Sequence, residues 1–473
     1  MLTYVNMTID ALIAEYLKKK MSKELHHSNN PSELQQKIDE GKKAEWTTLL
    51  NKSNVLRLHY GKAAKNIKEQ FSHRFIGSRF VLTRKPLEEG QTVDPDDWKS
   101  FDVKGRWCLQ GHLDPDLDAK AVEGRLQSPT LNQLSRMTLM QIIASYGWDL
   151  ELGDIKGAFL ESGEIEAKYR PLYAHQPPGG IPGLPSDAVI EVIGNVYGQN
   201  DAPAAWHTTF DMEARKIGWV PSKFDKCLYT LRDQNRLVGI MGVHVDDTAL
   251  GGEGTVFRQA VQDLRKRFPY RKWRVNNGEF CGAFYKQDVK TKKIEMSMSK
   301  FAEGLRAANI KKGVDREFEL QPFQIKQLRG INGSLNWLSS QSRPDLAAQT
   351  SMSQQAFPNP KIRHLRAANN VVRRARMFRN LPLSFEPIDP KALTVVCHSD
   401  ATFANVGTHT QAGYIIAFTE KCLQEGQEAR WNPVTWRSYK LSRAVSSTLA
   451  AESQAFATAS GTTEWLMLLL MKS

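Results

Sequence analysis

The run Leu237-Val-Gly-Ile-Met-Gly-Val-His-Val-Asp-Asp-Thr-Ala-Leu250 sets two adjacent carboxylates, Asp246 and Asp247, between two apolar segments. Val, Ile and Leu favour strands and Asp favours turns, so the run predicts a buried β-hairpin with the acids at its tip. A surface hairpin seldom has uniformly apolar, glycine-spaced flanks on both sides of its turn. Two Asp are also ordinary turn chemistry, and on this run alone the two readings stand level.

Charge separates them. The chain carries a formal +13, and residues 251–380 hold 26 Lys and Arg against 10 Asp and Glu, leaving 38 against 41 elsewhere. A basic block following an acidic hairpin suits a polyanion held near carboxylates, which favours nucleic acid over an acidic small molecule or a membrane. A solvated basic surface is the plain alternative. Five scattered cysteines, with no Cys-x-x-Cys and no Cys/His cluster, speak against structural zinc and a disulfide framework. Met1–Lys20 lacks a basic n-region and a cleavage signal, and Trp465–Met471 is too short to span a bilayer, so a soluble, intracellular protein with no membrane partner is expected.

In a chain of 473 residues there is room for about two to four domains. Ile9, Leu12, Ile13, Tyr16 and Leu17 have helical spacing, and His26 and His27 follow in a polar loop with no third ligand nearby. Arg79–Arg84 and Gly105–Gln110 read as strands of a ribbon presenting Lys104 and Arg106, with an acidic, turn-rich insertion at 88–97 between them. Leu131–Tyr146 reads as a buried helix ending at Gly147. In Trp148–Leu152 apolar and acidic residues alternate, predicting a strand with Asp149 and Glu151 on a solvated face and Asp154 at its end. A loop at His175–Pro185, a strand at Val189–Ile193 and a helix through Ala214 follow. From 256 to about 380 the pattern reads as basic and mostly helical. Arg363, Arg366, Arg373 and Arg374 there suit either a phosphate-facing helix or an ordinary solvated side. The Pro-punctuated Leu381–Pro390 is the expected domain boundary, with strands at Leu393–Asp400, Gly413–Phe418 and Pro433–Ser438 beyond it and a helix from about Ser446.

Phosphoryl transfer onto a 3′-hydroxyl uses two Mg²⁺ ions about 4 Å apart on hard oxygen ligands. Asp154 and the Asp246–Asp247 pair can supply them if their strands are neighbours. The segments Gly153-Asp-Ile-Lys-Gly-Ala-Phe-Leu160, Val196-Tyr-Gly198 with Ala202-Pro and Trp206, His244-Val-Asp-Asp247, Ser342-Arg-Pro-Asp345 and Ser446-Ser-Thr-Leu-Ala-Ala-Glu452 occur in one order along the chain. Together they resemble the reverse transcriptase and RNase H region of copia-type LTR retrotransposon polyproteins, over roughly residues 40–473.

The resemblance implies an α+β right-hand polymerase followed by an α/β RNase H-like domain. The expected division is a helical leader over 1–75, fingers and palm over 76–255, a basic thumb and connection over 256–390, and a partial RNase H-like domain over 391–473. It implies that Asp154, Asp246 and Asp247 bind two Mg²⁺ ions, with Mn²⁺ as an alternative. Phe159 matches the aromatic gate that excludes a ribose 2′-hydroxyl, Tyr197 and Gly198 match the nucleotide-pocket element, and Lys104 and Arg106 lie where the fingers offer cations to a triphosphate. Asp400 and Glu452 match the first two RNase H carboxylates. RNA template, DNA primer, RNA–DNA hybrid and dNTPs are the implied partners, in the cytoplasm within virus-like particles or in the nucleus.

Three departures stand out. His244 replaces the family's usual Tyr, and Gln199-Asn-Asp201 replaces Leu-Lys-Gln. A further RNase H carboxylate is expected on a strand after Glu464–Leu470, and the sequence stops at Ser473, so an incomplete, weak or inactive RNase H domain is expected. The other reading is a decayed, non-catalytic nucleic-acid-binding remnant.

Overall fold

The computed structural model describes residues 24–25, 30–52, 54–87, 94, 97–406 and 409–471. The expected helix at Ile9–Leu17, the His26–His27 loop and most of the acidic insertion lie outside them. The chain divides into two compact units, neither contiguous: Met1–Pro129 with Gly157–Met212, and Thr130–Lys156 with Glu213–Ser473.

In the first unit, strands Ser78–Pro86 and Phe101–Leu109 form the expected antiparallel ribbon. Phe80, Leu82, Phe101, Val103, Trp107 and Leu109 alternate onto one buried face. Helix Ser32–Leu50 packs on that face through Leu34, Ile38, Trp46 and Leu49, whose spacing makes one apolar stripe. Gly105 permits the contact, since a Cβ there would stand 2.9 Å from the Gly41 carbonyl oxygen. A four-stranded sheet, in the order Leu56–His59, Val189–Val192, Tyr173–Ala174, Phe75–Ile76, completes the unit.

The second unit is built on a six-stranded antiparallel sheet. Its strands are Glu151–Ile155 (β1), Val220–Pro221 (β2), Leu228–Asp233 (β3), Arg236–His244 (β4), Asp247–Gly252 (β5) and Tyr270–Val275 (β6), in the spatial order β6-β1-β5-β4-β3-β2. The glycine spacing of the hairpin now has a cause. A Cβ on Gly242 or Gly251 would strike Leu139 or Ile143 of helix Gln133–Ser145, and one on Gly239 or Gly252 would strike Phe257 of helix Gly254–Arg267. Two helices thus press closely on β4 and β5, and the expected hairpin is central and covered. Helix Gln133–Ser145 is buried at every position from Leu134 to Ala144, and Gly147, at φ 69°, turns the chain out of it.

Three sequence readings need correction. Residues 270–297 are not helical: β6 joins the sheet, and strands Asn277–Phe280, Ala283–Gln287 and Ile294–Ser297 build another. Within the Pro-punctuated stretch, Leu383–Phe385 pairs with Ile294–Ser297 as that sheet's fourth strand. Glu151 is not solvated, as described below. Helices Pro322–Gln341, Ala347–Gln354 and Ile362–Met377 do follow. The last segment forms the three expected strands, Leu393–Val406, His409–Glu420 and Trp431–Lys440, with helix Thr448–Met471 packed on them. Their apolar residues Ile416, Phe418, Val434 and Trp436 are continuous with the core of helix Gln133–Ser145. Among the described residues no helix is long and apolar enough to cross a membrane.

Candidate active site

Pairing of β1 with β5 sets Asp154 directly opposite Asp247. Pairing of β4 with β5 closes at His244 and Asp247, leaving Val245 and Asp246 as a two-residue turn. The Ile155 amide donates to the Asp246 carbonyl at 2.8 Å, so the turn is bonded to the end of β1 as well as to its own hairpin. All three acids therefore sit at one end of one sheet.

The local sequence explains the precision. Gly153 precedes Asp154 because a Cβ there would lie 2.6 Å from the Tyr270 ring and 2.8 Å from Thr248 Oγ1. Thr248 Oγ1 donates to the Gly153 carbonyl at 3.3 Å. Val245 holds φ 58°, a left-handed conformation that is costly for a β-branched residue. Such strain persists only where the surroundings enforce it, and the hairpin pairing and the Ile155 bond do so.

Burial, followed by the charges of Asp246 and Asp154, pushes the Asp247 carboxyl up to about 7, against the opposing pull of Arg271. Arg271 of β6 donates to Asp154 in an ion pair that holds the guanidinium above its usual range. The His244 imidazole is held below its usual range by burial, then by the nearby Arg136 charge, with Asp246 opposing. The three acids are hard oxygen donors of the kind that Mg²⁺ takes. Among the described residues no three His, Cys, Asp or Glu side chains already converge as a metal cage.

Two acids near the site have other work. Glu151 is 6% exposed and accepts from Arg258 Nη1 at 3.0 Å and Trp273 Nε1 at 2.9 Å. Asp149 pairs with Lys292 at 2.7 Å, which holds its carboxyl below the usual range.

The first unit brings four of the expected nucleotide residues together. Phe159 lies on a short 3₁₀ turn, Ala158–Glu161, with its ring edge-on to Tyr197 at 5.7 Å. The Arg106 guanidinium sits 5.4 Å from the same Tyr197 ring. Tyr197 and Gly198 are bonded to the ribbon: the Leu109 amide donates to the Tyr197 carbonyl at 2.8 Å, and the Gly111 amide to that of Gly198 at 3.1 Å. Gly198 has φ 89°, and a Cβ on it would stand 2.1 Å from the Leu109 carbonyl oxygen. Lys104 is on the ribbon, across from Thr83.

Structural partners account for the neighbouring departures. Gln199 Oε1 accepts from the Val196 amide at 2.6 Å, and Asn200 Nδ2 donates to the Gly111 carbonyl at 3.2 Å. Asp201 shares the buried Lys120 ammonium with Asp114, at 2.9 and 2.8 Å. In the Ser342–Asp345 motif, Arg343 is bidentate to Asp345 and caps the Phe378 carbonyl at 2.8 Å, a helix-end brace. Of the arginines on helix Ile362–Met377, Arg363 pairs with Glu317 and Arg374 with Asp345.

Asp400 is exposed on the Leu393–Val406 strand and Glu452 half-buried on helix Thr448–Met471, which packs against that strand. Sequence reasoning missed Val245 and Arg271. Only the first carried a local signal, a β-branched residue in a two-residue turn.

Residues 65–311 match the family described as reverse transcriptase (RNA-dependent DNA polymerase). The retrovirus-related Pol polyprotein from transposon RE1 of Arabidopsis thaliana is 24% identical over 417 residues, covering 84% of this chain and 26% of its own length. The transposon Ty5-1 protein of Saccharomyces cerevisiae is 24% identical over 301 residues, covering 61% of this chain and 92% of its own. The chain thus spans about a quarter of the length of the Arabidopsis Pol relatives that it matches. A solved structure of the foamy viral protease-reverse transcriptase dRH in complex with ds DNA aligns at TM-score 0.47 and 13% identity, over 94% of this chain and 63% of that one.

Proposed function

Since the chain belongs to the reverse transcriptase (RNA-dependent DNA polymerase) family, as carried by copia-type retrotransposon Pol polyproteins, we propose that it extends a DNA primer on an RNA template. The observation that carries this reading is the register of Asp154 opposite Asp247, with Asp246 bonded through its backbone to the same strand end.

The donor set fits two divalent cations, Mg²⁺ foremost with Mn²⁺ as the alternative. Three hard carboxylates stand at one end of one sheet, and the Asp247 carboxyl is raised by burial and then by the charges of Asp246 and Asp154, which a cation there would offset. Asp154, Asp246 and Asp247 would hold them; bound there, such ions acidify the attacking hydroxyl and stabilise the leaving oxygen. The chain's own part is positional. In the reaction the primer 3′-oxygen attacks the α-phosphorus of a dNTP and pyrophosphate leaves, and a turn held by backbone bonds keeps its acids in place without reorganising.

The six-stranded sheet acts as the palm in this reading. To the first unit falls the handling of dNTP: Phe159, braced edge-on by Tyr197, as the gate against a 2′-hydroxyl, Gly198 as the backbone that lets the pocket wall approach, and Lys104 and Arg106 as cations for the triphosphate. Template and primer are held through phosphates rather than base edges. Asp400 and Glu452 are proposed as the first carboxylates of an RNase H-like site acting on the RNA–DNA hybrid.

Incorporation of labelled dNTP into a DNA primer annealed to RNA, with Mg²⁺, tests the reading. Template-dependent extension supports it, and its absence with both Mg²⁺ and Mn²⁺ overturns it. Phe159→Ala adds a specific check, with incorporation of ribonucleotides expected to rise.

A further inference from the structure

Arg271 is an extra residue in its strand. Tyr270 of β6 pairs with Ile155 of β1 and Lys272 with Asp154, so the ladder passes over Arg271 in a β-bulge. A bulge bends the strand and re-aims the side chain of the residue it inserts. Here β6 is the edge of the six-stranded sheet, and the guanidinium is turned onto the end of β1, where Nη2 donates to Asp154 Oδ2. The pairing of β1 with β5 puts that carboxylate opposite Asp247. A permanent positive charge thus stands on one of the three acids proposed to hold divalent cations.

The backbone around the pair is fixed. The Ile155 amide is bonded to the Asp246 carbonyl and the Lys156 amide to the Pro269 carbonyl, each at 2.8 Å. The side chains are not sealed in: that of Arg271 is 50% exposed and that of Asp154 20%. By contrast, the Glu151 side chain on the same strand is 7% exposed and held by both Arg258 and Trp273. An ion pair that water reaches is weak, so rotation of one long side chain is enough to open it. Beside a divalent cation on Asp154 the guanidinium would be a like charge at close range, and the two cannot share that carboxylate without strong repulsion.

We propose that Arg271 is the resident counter-ion of the aspartate site: it occupies Asp154 in metal-free protein, yields that carboxylate to an entering divalent cation, and so sets the concentration at which the cation binds. This rests on the reading of Asp154, Asp246 and Asp247 as metal ligands. The bulge supplies what the role needs, a charge delivered from an edge strand by a side chain that can swing away while the sheet stays as it is.

Binding of Mn²⁺ to the full chain, followed by the EPR signal of the free ion, tests the proposal without any polymerisation. Arg271→Gln, which removes the charge and keeps a hydrogen-bond donor, is expected to lower the Mn²⁺ Kd about tenfold, and Arg271→Lys, which keeps the charge, to stay within about threefold of wild type. Thermal melts are the second measurement. Arg271→Gln is expected to melt below wild type without metal and to gain more from saturating Mn²⁺ than wild type gains. A residue that only braced the fold would do the opposite, leaving a weaker Mn²⁺ site in its variant. An Mn²⁺ Kd in Arg271→Gln equal to or above that of wild type overturns the proposal. Asp154→Asn separates this from the reading beneath it: Mn²⁺ binding should weaken by at least about tenfold, and if it does not, Asp154 is no metal ligand and both fall. Weakening in Asp154→Asn with no tightening in Arg271→Gln overturns the counter-ion role alone. Tightening in Arg271→Gln supports that role whether or not the wild type extends a primer, so a failure of the polymerase reading is told apart from a failure of this one.

Discussion

Asp247 stands opposite Asp154 across two neighbouring antiparallel strands, and nothing between them in the sequence explains it, since 92 residues separate the two. The relationship is produced by the sheet. β1 is bracketed by β5 and β6, so the end of β1 receives the aspartate turn from one side and Arg271 from the other. The proposed function rests on this placement.

The raised Asp247 carboxyl makes stability depend on pH. Its ordinary value is 3.8 and its folded value about 7. Below pH 4 the group is protonated folded or unfolded and has no effect. Between about 4 and 7 the unfolded chain ionises first, so metal-free protein should lose stability as pH rises through that window and level off above it. Denaturation midpoints of Asp247→Asn should lack this loss, making the variant more stable than wild type at pH 8. Parallel pH profiles for the two proteins would contradict it.

Val245→Gly should separate strain from function. Glycine adopts φ 58° freely, so relief of the β-branched strain should offset its entropic cost, leaving the melting temperature unchanged or raised by about 2 °C. The turn loses its restraint, and kcat for primer extension should fall. A large drop in melting temperature would show that Val245 is not strained in this turn.

Gly198→Ala should act through the ribbon. Its Cβ has no room beside the Leu109 carbonyl, and its φ of 89° is a glycine conformation. The expected result is a raised dNTP KM with a destabilisation of about 2 kcal/mol. Unchanged KM would remove the Tyr197–Gly198 element from the proposed dNTP surface.

The last three strands should unfold with helix Gln133–Ser145 and the six-stranded sheet. Asn432 is 1% exposed, donates to Gln141 Oε1 and the Glu386 carbonyl at 2.8 Å each, and accepts from the Glu386 amide at 3.2 Å. Trp436 Nε1 donates to the Ser339 carbonyl at 2.8 Å. Asn432→Ala should cost about 1–3 kcal/mol and lower primer extension in proportion to the folded fraction. Hydrogen exchange should show helix Gln133–Ser145 losing protection in the variant, and unchanged protection there would contradict the coupling.

What the sequence disclosed followed from range. The hairpin, β1, the ribbon and helix Gln133–Ser145 were legible because alternation and helical spacing act between near neighbours. Glu151 was misread because its alternation with Leu150 and Leu152 says which face it takes, while its burial is decided by Arg258 and Trp273, more than a hundred residues later. Residues 270–297 were misread because basic composition concealed short strands that only pairing stabilises. Leu383–Phe385 looked like linker because the prolines flank the strand rather than interrupt it. The three aspartates were located by their motifs, but the sheet order that joins them was not readable from either strand alone.

The central claim is that Asp154, Asp246 and Asp247 act as one centre for nucleotidyl transfer. Single-turnover primer extension on an RNA template with Mg²⁺ tests it most directly, comparing wild type with Asp154→Asn and Asp246→Asn at matched primer–template occupancy. The account predicts a loss of at least about a thousandfold in either variant, with primer–template affinity within a few-fold of wild type. Equal rates for wild type and either variant would contradict it.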